Sequence, residues 1–267
     1  MRPRHLLFLS ILVLFACKKE EEEGAGDMTA VVDHVYTSAN LIPILPLVIA
    51  LDPGPGNWHM LQGLTCASVD SITGDTAAFP ANGPVTVHLH FPDTGCTSID
   101  GRTRAGDLRI TIGDAIGTIG AQATISATDH ATGGIHYRFT FTATCTADQR
   151  WLLSMDTVSV RTSGPWQFRL KGTYTYERIA GAGDPDPMND AYDLDFNLDG
   201  RDRNGVDYDA YAVTDLRYAL DCKWIRQGVE DVDPSNADIR RVDHGNGTCN
   251  AQTEVEIDGN TVGLTIP

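Results

Sequence analysis

Residues 135–145 read IHYRFTFTATC. Ile135, Tyr137, Phe139, Phe141, Ala143 and Cys145 share one parity, and His136, Arg138, Thr140, Thr142 and Thr144 share the other. An apolar residue at every second position suits a strand with one face on a core and one in water. The pattern recurs outward from this stretch. Trp166, Phe168, Leu170, Tyr174 and Tyr176 alternate with Gln167, Arg169, Lys171, Thr173 and Thr175. Leu216, Tyr218, Leu220, Cys222 and Trp224 alternate with polar neighbours and predict one strand through residue 224. Val255 and Ile257, a turn at Asp258-Gly259-Asn260, then Val262, Leu264 and Ile266 predict a hairpin. No comparable stretch after residue 60 has a helical period. These runs predict an all-β domain: an antiparallel sheet or sandwich of roughly ten strands.

The N-terminus has a different logic. Arg2 and Arg4 precede an apolar run from Leu6 to Ala16, then Cys17, then Lys18-Lys19-Glu20-Glu21-Glu22-Glu23. A basic start, a short apolar run and a small residue before the cut form a secretory signal. Leu14-Phe15-Ala16-Cys17 resembles the lipobox of bacterial lipoproteins, which implies acylation of Cys17. Residues 1–16 are then a signal peptide and 17–27 a charged tether. The implied site is the bacterial outer membrane, facing the surface or the periplasm, with the N-terminal lipid as the membrane contact. Removing residues 1–16 takes the 20 basic side chains to 18, against 36 acidic ones, a formal charge of −18. Such a surface repels nucleic acid, and a glycan or an envelope protein is the better-matched partner. Residues 28–58 read as weakly helical to about Asn40. Leu41–Leu51, interrupted by Pro43 and Pro46, reads as an extended segment lying on the domain, ending at a turn over Pro53–Gly56. Residues 59–267 form the β domain.

Aligning the cysteines gives a weak two-fold repeat, about 64–125 and 216–267. Cys66 and Cys96 flank a hairpin, Cys222 and Cys249 flank another, and each second cysteine precedes a further strand. In an oxidising envelope the repeat suggests disulfides Cys66–Cys96 and Cys222–Cys249, leaving Cys145 on an apolar strand face. The alternative is five reduced, buried thiols.

Three segments carry a family resemblance: GCTSIDGRTRAG at 95–106, ALDCKWI at 219–225 and DHGNGTC at 243–249. From about Cys66 onward the chain resembles small β-rich surface lipoproteins of Gram-negative bacteria, a family without assigned activity. The resemblance implies location and fold and carries over no catalytic residue.

Two clusters invite a metal. Asp195, Asn197 and Asp199 match the first half of a calcium loop, but Asp202 and Val206 stand where an apolar residue and a bidentate acid belong. Tyr192, Leu194, Phe196 and Leu198 alternate with these acids, so a strand with an acidic outer face is the simpler reading. His88 and His90 share one strand face and make half a zinc site, with Asp93, His130 or His136 as third-ligand candidates. No nucleophile elbow or phosphate loop is present, and no cofactor is implied. The sequence therefore points to a non-enzymatic envelope protein with a structural or ligand-binding role. The rivals are a hydrolase of surface polysaccharide or protein, using carboxylates from Asp184 to Asp193, and a carrier of apolar cargo.

Overall fold

The computed structural model describes residues 27–50, 65–184 and 186–266. The signal, Cys17, most of the tether and the Pro53–Gly56 turn lie outside the described residues. Two helices come first: α1 (Thr29–Leu41) and α2 (Ile44–Ile49). Thirteen strands follow: β1 (Ser68–Thr73), β2 (Val85–Thr97), β3 (Thr103–Ile112), β4 (Gln122–Thr132), β5 (Ile135–Ala147), β6 (Arg150–Arg161) and β7 (Phe168–Ala180), then β8 (Ala191–Arg201), β9 (Asp207–Ala219), β10 (Gln227–Pro234), β11 (Arg240–Asn246), β12 (Gln252–Ile257) and β13 (Asn260–Thr265). They form one antiparallel meander in chain order, not a sandwich, with more strands than the roughly ten expected.

Alternation decides the faces. In β5, Tyr137, Phe139, Phe141, Ala143 and Cys145 are buried, while Arg138 and Thr140 are exposed. The β12–β13 connection is the two-residue turn Asp258-Gly259, both at positive φ, the geometry that suits a hairpin's twist. One expected strand is shorter than read. β9 stops at Ala219, and the Cys222 N–H turns back to the Ala219 carbonyl at 3.0 Å, so Leu220 to Trp224 belong to a turn.

The N-terminal segment corrects the sequence reading most. Leu41–Leu51 is not an extended strip on the surface. Residues 44–49 are helical and wholly buried. Pro43 caps α2 and Pro46 lies in its first turn, where a missing N–H leaves no hydrogen bond unmade. The stretch Thr29–Ile49 is apolar enough to cross a membrane by length and composition, yet 83% of its 18-residue apolar window is buried within the fold. The sheet takes the place that lipid would take.

The sheet must curl to do this. Laid flat, thirteen strands about 4.8 Å apart would be about 60 Å wide, whereas a helix is only about 10–12 Å across. Yet α1 bonds partners from near one edge to the other. The Ala39 carbonyl accepts from Arg102 in the β2–β3 turn at 2.9 Å. Tyr137 on β5 accepts from Asn40 at 2.9 Å, and Tyr174 on β7 donates to Ser38 at 2.9 Å. The Tyr36 hydroxyl donates to the Thr265 carbonyl of β13 at 3.0 Å. Tyr137, Tyr174 and Tyr176 thus pack their rings in the core and use their hydroxyls on the helical segment.

Both suggested disulfides are present, Cys66–Cys96 and Cys222–Cys249, and each ties the ends of a hairpin. Cys145 stays a buried thiol. Closing loops of 30 and 27 residues restricts the unfolded chain by about 3–4 kcal/mol each in the chain-entropy model. Replacing Cys222 and Cys249 together by serine is expected to lower the melting temperature by roughly 6–12 °C, checked by calorimetry.

Candidate functional site

The interior holds charge as well as apolar side chains. Glu230 on β10 is fully buried between His34 of α1, at 3.3 Å, and His244 of β11, at 3.0 Å. Burial pushes its carboxyl up, but the charge of His34 and hydrogen bonds from both imidazoles outweigh that and hold it at about 2. Ser38 lies 3.4 Å from His34, so the residue types of a nucleophilic triad are assembled. The geometry is wrong for one. Ser38 and Glu230 both meet Nε2 of His34, whereas a triad base uses its two nitrogens separately. All three are also sealed from solvent. This cluster anchors a helix.

A second buried cluster lies in the β2–β3 turn. Gly101, at φ +73°, turns the chain after Asp100. Asp100 then accepts two hydrogen bonds from Arg104, at 2.8 and 2.5 Å, and Arg102 stands 3.6 Å away. Arg102 also donates to carbonyls of Ala39 and Lys223. The three segments 95–106, 219–225 and 243–249 therefore meet. The 95–106 segment grips α1 and, at Lys223, the 219–225 segment. Cys222–Cys249 joins that one to 243–249, whose His244 holds Glu230 against α1. The three segments share one structural role, which is to fix the sheet around its helix.

The outer face carries the open depressions. A trough of 630 Å³ crosses β7 to β10. Strand register sets its floor row: Lys171 faces Asp199, Asp199 faces Asp209, and Asp209 faces Asp233. Lys171 pairs with Asp199 at 3.1 Å. Desolvation raises the Asp209 carboxyl, and the neighbouring Asp199 carboxylate raises it further. The trough shares Arg169 with a shallower recess lined by Trp166 and Arg201. Arg138 and Arg161 sit 4.5 and 5.0 Å from the Trp166 ring centre and hold the indole in place.

The residues singled out from sequence disperse. Asp195, Asn197 and Asp199 are outward positions of β8, and only Asp199 reaches the trough. Asp202, the misfit of the calcium pattern, is buried and accepts the N–H groups of Asn204 and Val206, shaping the β8–β9 turn. His88 faces Arg109 across β3, while His90 bonds Asp107 at 2.8 Å. Of the third-ligand candidates, His130 is buried on the inner face, where desolvation and then the charge of Arg104 hold it down at about 3. His136 pairs with Asp129. The acids proposed for hydrolysis are spoken for: Asp184 bonds Asn189, Asp186 caps the short turn Pro187–Asn189, Asp190 bonds Arg178 and Tyr192, and Asp193 pairs with Arg217. The Asp199–Asp209–Asp233 row is not legible in the sequence, because only register aligns residues from three strands. Compared with known protein families, curated proteins and solved structures, the chain matches none of them.

Proposed function

We propose that this protein is a lipid-anchored component of the bacterial outer membrane, and that its outer sheet face binds a neutral or cationic glycan. The trough carries the reading. Its row of three acids with Lys171 at one end, beside an indole held by two arginines, suits the hydroxyls, amines and apolar faces of a sugar chain. The interior supports a binding role over catalysis, since its charged groups are sealed and committed to holding α1. The two disulfides suit an oxidising envelope compartment. The likeness between the two cystine-tied hairpins is consistent with a duplicated unit, although a meander makes every hairpin alike in topology.

Two measurements test this. Mass analysis from the native host should find a chain beginning at an acylated Cys17, and Cys17→Ser should leave the membrane fraction. On a glycan panel, Asp209→Asn and Asp233→Asn should each weaken a detected ligand about tenfold, roughly 1.4 kcal/mol. Equal binding by both variants sinks the assignment.

Asp209 also supports a second reading, hydrolysis of a surface polysaccharide, in which its raised carboxyl is the acid and Asp199 or Asp233 the base. Loss of turnover with retained binding in Asp209→Asn would favour it. A carrier of apolar cargo fits less well, because α1 and α2 fill the inner face.

A further inference from the structure

On other strands than the trough, at the β1 edge, three ligand-bearing side chains converge. β2 supplies His90, β3 supplies Asp107 directly opposite it, and β1 supplies Asp70. One ligand atom from each lies within 4.8 Å of the other two. Asp70 joins the group through an irregularity. The β1–β2 register slips between Val69 and Ser71, so Asp70 is the extra residue of a bulge. A bulge re-aims one side chain while the strands on either side keep their faces.

We propose that Asp70, His90 and Asp107 form a binding site for a divalent cation of the zinc class. One imidazole and two carboxylates make a mixed nitrogen–oxygen donor set, which suits zinc and its neighbours better than the all-oxygen preference of calcium. The spacing is close to what an ion needs. Ligand atoms about 2.0–2.2 Å from a tetrahedral ion stand about 3.3–3.6 Å apart; His90 Nδ1 and Asp107 Oδ1, now hydrogen-bonded at 2.8 Å, have only to part by less than about 1 Å to admit one. The three side chains are exposed or half-buried, so solvent fills the remaining positions. Bound there, the ion ties the edge strand β1 to β2 and β3.

The molecule contains its own contrast. His136 Nδ1 meets Asp129 Oδ1 at the same 2.8 Å. There the third group is Arg161, 2.5 Å from Asp129, so a guanidinium already fills the cation's place. Around His90 the charge runs the other way, with Asp93 adding to Asp70 and Asp107.

Isothermal titration of the full chain with zinc chloride alone tests the site. His90→Gln and Asp107→Asn should each weaken binding at least tenfold, and Asp70→Asn about fivefold. His136→Gln should bind as the parent does. Zinc should raise the melting temperature of the parent and leave His90→Gln unmoved. Equal zinc binding by parent and His90→Gln, or calcium binding as tight as zinc, overturns the assignment. A visible absorption band on adding cobalt(II) to the unaltered chain, absent at His90→Gln, supports it independently of any loss of fold.

Discussion

Glu230→Gln should lower the unfolding free energy at neutral pH by about 3–5 kcal/mol, the usual cost of removing one partner from a buried ionic group. The reason is local. Glu230 receives an imidazole from each side, and none of the three side chains touches water. An amide keeps the shape but replaces the buried carboxylate that both imidazoles meet with a neutral group. The carboxyl is held at about 2 against an ordinary 4.5, which corresponds to roughly 3 kcal/mol of stability whenever it is ionised. Because the folded value is the lower one, that contribution is complete above about pH 4.5 and fades as pH falls toward 2. The gap between parent and variant should therefore close as pH falls from about 4.5 toward 2. Urea unfolding at a series of pH values measures it. A gap under 1 kcal/mol at pH 7, or one that widens on acidification, contradicts the account. His34 lies on α1 and Glu230 on the sheet, so the loss should also loosen the helix, seen as faster amide exchange across Thr29–Leu41.

Sequence makes the strands legible and leaves the helix's surroundings obscure, for one physical reason. A strand's alternation reports its own two faces, so β5, β7, β12 and β13 are readable residue by residue. Asp33, His34, Thr37 and Ser38 interrupt the apolar residues of α1, so the segment reads only as weakly helical. Here all four are buried, because the sheet supplies partners around the helix: Arg203 for Asp33, Glu230 for His34 and Tyr174 for Ser38. Those partners lie more than a hundred residues away, beyond any local pattern. The cysteine pairs are legible because each closes a hairpin between strands that are adjacent in sequence. The trough is not, since Lys171, Asp199, Asp209 and Asp233 come together only through strand register. The same holds at the β1 edge, where His90 stands out in sequence but Asp70 reaches it only through a bulge.

Asp100→Ala is the other large effect to expect, about 3–5 kcal/mol and roughly 10 °C in melting temperature. Burial pushes the Asp100 carboxyl up, but the hydrogen bonds and charge of Arg104, with Arg102 behind them, hold it below the usual carboxylate range. Without it, two guanidiniums stay buried with like charge and no counter-ion. Arg102 would then be pushed from its grip on the Ala39 and Lys223 carbonyls, so damage at one turn spreads to α1 and to the cystine-bearing turn beyond β9. Asp100→Asn separates charge from hydrogen bonding. It can still accept from Arg104 but no longer offsets the two cations, and should lose most of the same stability. Replacing Asp100 and Arg104 together by leucine removes one opposed pair, and should cost less than the sum of the single changes. That coupling, read from a double-mutant cycle in urea, distinguishes an ionic clamp from simple packing. Additive losses would mean that the cluster acts only by filling space.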